Sequence, residues 1–61
     1  MASSKEIIKK IENVGRYLKR INGLHHIFLH PSKSSLIVIP HPRKDIAEGT
    51  EKSILKQAGL I

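Results

Sequence analysis

The stretch YLKRINGLHHIFLHPSKSSLIVIP, residues 17–40, divides itself into three strands. Asn22-Gly23 is a hairpin signal, because both residue types tolerate positive φ. It separates a first run, residues 17–21, from a second, His25 to His30. Pro31-Ser32-Lys33-Ser34 reads as the next turn, and Leu36-Ile37-Val38-Ile39 as a third strand closed by Pro40. Strands joined by connections this short pair antiparallel.

Helices flank this core on both sides. Ser3-Ser4-Lys5-Glu6 has the S-x-x-E form of a capping box. Ile7, Ile8, Ile11 and Val14 follow on one stripe, with Lys9, Lys10, Glu12 and Asn13 opposite. Gly15 is placed to end the helix in the left-handed region. After the third strand, His41-Pro42-Arg43-Lys44 leads to a second helix. Asp45 with Glu48, or Thr50, is its expected cap, and Ile54, Leu55 and Ala58 its inner face. Gly59-Leu60 is expected to close it in a Schellman motif, with Leu60 folding back on Leu55.

The predicted order is α-β-β-β-α, an α+β fold with a three-stranded antiparallel sheet and both helices on one face. Residues 1–61 are expected to form a single domain. One feature departs from a sheet with one wet face, whose strands should alternate. Ile37 and Ile39 point one way and Leu36 and Val38 the other; Ile27 and Leu29 likewise oppose Phe28. A face with no helix but with apolar residues is expected to be covered by another chain.

A chain of 61 residues buries only about 60% of its unfolded surface, so its core is small. It has no cysteine, which excludes disulfides and thiolate zinc sites and suits a reducing compartment. The N-terminal segment MASSKEIIKKIENV lacks the pattern of a secretory signal, and no apolar run approaches bilayer length. A cytoplasmic protein with no membrane partner is expected. Eleven Lys and Arg against five Asp and Glu give a formal charge of +6, which suits a polyanion or an acidic protein.

Three of the four histidines lie between Gly23 and Pro31. Metal binding is not expected from them. His26 and His30 share a strand face but stand roughly 13 Å apart at about 3.3 Å per residue. His25 and His26 point to opposite faces, and no carboxylate or thiol is near in sequence to complete a ligand set. No nucleophile elbow is present for a serine triad. RNA, however, carries its own nucleophile: its 2′-OH attacks the adjacent phosphate once a base takes the proton and cations stabilise the transition state. An imidazole titrating near neutrality, with Lys and Arg around it, is sufficient equipment without a cofactor. A histidine at a strand end that only forms surface hydrogen bonds fits the same residues.

The motifs R-x-x-G-x-H-H-I-F-x-H-P (residues 20–31), I-V-I-P-x-P (37–42) and G-T-x-x-S-I-L-K-Q-A-G-L (49–60) resemble those of HicA toxins. The resemblance implies a double-stranded-RNA-binding-domain-like fold. It also implies a ribosome-independent endoribonuclease, an mRNA interferase of a type II toxin–antitoxin system. The family's catalytic histidine corresponds to His25. Leu24 stands where the family usually has serine, Arg16 where it has an aromatic residue, and Glu48 where it has proline. The residues expected to contact RNA are Lys19, Arg20, Gly23, His26, Arg43 and Lys44, with His30 as a further candidate. The resemblance further implies a HicB-type antitoxin lying over His25 and the apolar face. Assembly is expected as a homodimer or a toxin–antitoxin hetero-oligomer.

Two other readings stand beside the ribonuclease. One is a non-catalytic RNA-binding module. With only Tyr17 and Phe28 aromatic, base stacking is weakly supported, and recognition of duplex shape would have to carry it. The other is a degenerate toxin retained for antitoxin binding, suggested by Leu24.

Overall fold

A computed structural model describes residues 2–61. The elements are α1 (Ser4–Glu12), β1 (Tyr17–Asn22), β2 (His25–His30), β3 (Lys33–Pro40) and α2 (Glu48–Gln57). The α-β-β-β-α order is the one the sequence pattern predicts. The strands form one antiparallel sheet in the order β1-β2-β3.

The predicted capping box forms at Ser3. Its hydroxyl accepts the Glu6 N–H at 3.2 Å, and the Glu6 carboxylate accepts the Ser3 N–H at 3.1 Å. Both helices end in Schellman motifs. At α1 the N–H of Gly15 donates to Glu12 and that of Arg16 to Ile11; at α2 the N–H of Gly59 donates to Lys56 and that of Leu60 to Leu55. The start of α2 differs from expectation, because neither Asp45 nor Thr50 caps it. Ala47 is the N-cap and makes no side-chain bond. Ile46, read as loop in the sequence, is drawn into the core, and its N–H donates to the Ala2 carbonyl at 2.9 Å. That anchor sets the helix start at Glu48, where Glu48 and Glu51 complement the dipole of the first turn.

The β1–β2 hairpin turns one residue later than Asn22-Gly23. Asn22 pairs with His25, so Gly23 and Leu24 form the loop. Gly23 alone takes positive φ, +62°, and Asn22 stays in the strand. The second turn is also tighter than expected: Lys33 pairs with His30, leaving Pro31 and Ser32 at the bend. The register shifts at two bulges, one on β1 between Leu18 and Arg20 and one on β3 between Lys33 and Ile37, opposite His30 and Phe28.

Phe28, Ile37 and Ile39 meet Ile7, Ile11, Ile46, Ile54 and Ala58 in one core. Full burial of each isoleucine contributes about 1.5–3 kcal/mol. Val14 lies outside this core, and Leu55 is only half-buried. On the opposite face Leu36 is 51% and Val38 39% exposed, the doubly apolar β3 read from the sequence. The helices pack on β3 and leave β1 uncovered, so Leu18 and Ile21 are exposed although the register pairs them with Phe28 and His26.

Arg16, one of the eleven basic residues, is buried at 3% exposure. Its guanidinium donates to the Ser35 carbonyl at 2.6 Å and the Ser35 hydroxyl at 3.3 Å, and reaches the Gln57 carbonyl at 3.5 Å. It ties the corner after α1 to β3 and the end of α2, and presents no charge to a partner.

Candidate active site

One end of the sheet gathers the β1–β2 turn, the end of β3 and the loop that follows it. His25 pairs with Pro40 across β2 and β3. The N–H of His41 donates to the Leu24 carbonyl at 2.8 Å, which ties the loop to the turn. Between them is a cleft of about 600 Å³ lined by Gly23, Leu24, His25, Pro40, Pro42 and Arg43, with Asn22 and Val38 completing the wall. The His41-Pro42 peptide is cis.

Ser4, at the start of α1, holds the loop in place. Its N–H donates to the Arg43 carbonyl at 2.9 Å, and its hydroxyl accepts the Arg43 N–H at 2.8 Å. The same hydroxyl lies 2.6 Å from Nδ1 of His41 and 3.1 Å from the Arg43 carbonyl oxygen. Ser4 itself is buried. A residue read from sequence only as part of the capping motif therefore positions Arg43 at the cleft. At a separation of 39 positions, no sequence signal links the two.

The four histidines separate by their surroundings. His25 is exposed, while His26, His30 and His41 are half-buried. The Ser32 N–H donates to Nδ1 of His30 at 3.1 Å, so the ring proton sits on Nε2, which donates to the Val14 carbonyl at 3.1 Å. Both nitrogens of His30 are thus used within the chain, at the far end of the sheet from the cleft. His26 packs edge-on against His41 with ring centroids 4.9 Å apart, and its buried Nδ1 has no partner. His25 is the one of the four that is exposed.

Of the residues expected to contact RNA, Gly23 and Arg43 join His25 in the cleft. Arg20 pairs with Ile27, which puts it on the His25 face of the sheet. Lys19 sits in the β1 bulge, exposed. Lys44 is exposed and lines an adjoining depression. His26 is not brought to the cleft: it pairs with Ile39, on the helix side of the sheet. Among the described residues no three His, Asp or Glu side chains gather where they could hold a metal ion. Among the described residues no helix is long and apolar enough to cross a membrane.

The departures from the family pattern have local explanations. Glu48 occupies the first helical position of α2, where proline is favoured and where a carboxylate suits the dipole instead. Arg16 fills an interior position with a hydrogen-bonded cation. Leu24 is at the turn tip, 64% exposed, and contributes its carbonyl to the tether.

Comparison with curated proteins finds no match. Among solved structures the chain is similar to one described as "HicA3 and HicB3 toxin-antitoxin complex", at a TM-score of 0.83 and 32% identity over 95% of this chain and 94% of that one. The family model "HicA toxin of bacterial toxin-antitoxin" matches residues 4–60. The chain belongs to the HicA toxin family.

Proposed function

We propose that this chain is a metal-independent endoribonuclease toxin that cleaves mRNA in the cytoplasm and is neutralised by a HicB-type antitoxin. The observation that carries the reading is that His25 and Arg43, both exposed, line one cleft. His25 takes the proton from a ribose 2′-OH, and O2′ attacks the neighbouring phosphorus. The P–O5′ bond breaks, O5′ takes up a proton, and a 2′,3′-cyclic phosphate remains. Arg43 stabilises the negative charge that builds on the phosphoryl oxygens, a term worth several kcal/mol when the donor is held in place. Ser4 provides that hold through the Arg43 backbone.

The HicA–HicB complex among the similar structures supports a HicB-type partner. The exposed Leu36 and Val38, on the same sheet face as His25, give such a partner an apolar seat beside the cleft. An antitoxin seated there would cover the imidazole without distorting the sheet. A second reading, a catalytically silent toxin kept for antitoxin binding, is favoured by Leu24 alone.

The test is His25→Ala. The variant should fold, cease to cleave purified mRNA and cease to arrest growth on induction, and the natural chain should keep cleaving in EDTA. Full toxicity of His25→Ala overturns the role of His25. A folded natural chain without any cleavage supports the silent toxin.

A further inference from the structure

We infer that an RNA strand in the His25 cleft continues over a second anionic-backbone site formed by Arg43, Lys44 and Lys5, an inference that rests on the proposed ribonuclease reading. The cleft does not stand alone. A second depression of about 460 Å³, lined by Ser3, Ser4, Lys5, His41, Pro42, Arg43 and Lys44, adjoins it. The two share Pro42 and Arg43, so Arg43 stands on the saddle between them. Lys5, Arg43 and Lys44 are all exposed.

Among the described residues these cations have no acidic partner. Among the described residues the ion pair present is Lys52 with Glu48, on α2. The nearest carboxylate to Lys5 in sequence, Glu6, is occupied by the Ser3 N–H and hydroxyl. Three unpaired cations across two contiguous hollows fit the phosphates of one flexible strand, and each neutralised phosphate releases counterions. A third depression, lined by Lys5, Ile8, Lys9, Glu12 and His41, lies on the far side of Lys5 and brings the first carboxylate, that of Glu12, to the surface. The footprint runs from the cleft over the saddle at Arg43 to Lys44 and Lys5 at the start of α1. The Ser4–Arg43 clasp joins both halves, so the site that positions the reacting phosphate also positions its neighbours.

The experiment measures binding of labelled oligouridylate to the His25→Ala chain, so that cleavage does not interfere, over a range of salt. Lys5→Ala/Lys44→Ala is compared with Lys33→Ala/Lys56→Ala, a pair of equal charge at the other end of the molecule. For an oligomer of about 12 nucleotides, the first pair should flatten the dependence of log K on log salt by about 1.4, at ~0.7 per phosphate contact. The control pair should leave the slope unchanged, and an oligomer of about 4 nucleotides should show no difference between the pairs. Equal slopes for both pairs on the long oligomer overturn the site, because only net charge is then being read. An unchanged slope with weakened HicB-type antitoxin binding also overturns it and assigns the surface to the protein partner. Failure of the ribonuclease reading would appear separately, as uncleaved RNA with the natural chain, while the slopes still decide the track.

Discussion

The N–H of His41 donates to the Leu24 carbonyl at 2.8 Å, and this bond closes the cleft between the residue before His25 and the loop that carries Arg43. The tether belongs to the backbone of residue 24, so its side chain is free to vary without loss of the turn. Within this turn positive φ is confined to Gly23. Leu24→Ser should therefore leave stability within about 0.5 kcal/mol, as for other exposed positions. Thermal melting and cleavage rate are the measurements. A rate increase of about tenfold or more, ~1.4 kcal/mol off the barrier, assigns the hydroxyl a part in the chemistry. An unchanged rate assigns serine at this position to turn preference.

His30 and Gly15 form a latch between β2 and the end of α1. A Cβ on Gly15 would meet Nε2 of His30 at 2.8 Å, and Gly15 has φ +96°. His30→Ala should cost about 1–2 kcal/mol, or roughly 5–15 °C in Tm, through lost hydrogen bonds and the stranded Val14 carbonyl. Gly15→Ala should cost at least ~1–2 kcal/mol for backbone strain alone, with the clash added. In the double variant the clash is gone while the strain stays. Its loss should fall short of the sum by about 0.5 kcal/mol or more, measured by denaturant unfolding. Strict additivity would show that the ring moves aside freely.

Arg16 is an interior cation held by carbonyls. Arg16→Ala leaves the Ser35 and Gln57 carbonyls without this donor and opens a void, and should cost about 2–4 kcal/mol. Arg16→Tyr, which restores an aromatic residue of the kind usual in the family, should cost less than the alanine variant. A tyrosine variant as unstable as alanine would show that the hydrogen bonds, and not the filled volume, hold this corner. RNA affinity should be unchanged in the tyrosine variant, because the guanidinium does not face solvent.

The carboxyl of Glu6 is held below the usual glutamate range, chiefly by the Ser3 N–H and then by the Ser3 hydroxyl. A depressed folded-state value means stability that is present above the unfolded value and lost as pH falls through the folded one. Thermal stability should therefore decline as the pH drops below the ordinary glutamate range. Glu6→Gln should decline less steeply over the same window. Parallel pH profiles for the two chains would remove the capping box from the acid response.

The sequence by itself determined the order of elements, the capping box at Ser3, the glycine endings of both helices and the opposed faces of Ile37 and Leu36. These are local: periodicity of 2 or 3.6 residues, φ preferences, and hydrogen bonds spanning three to five positions. It also carried the family resemblance and His25. The tertiary structure alone decided what surrounds that histidine. Ser4 clasps Arg43 from 39 positions away, His41 reaches back to Leu24, and His26 turns to the helix side while His25 faces the cleft. It also decided that Arg16 is interior and Ile46 is core, and that Ala47 in place of Asp45 or Thr50 begins α2. No sequence window contains these outcomes. They follow from packing two helices over β2 and β3, which fixes distant backbone donors and acceptors opposite each other and obliges the buried ones to pair.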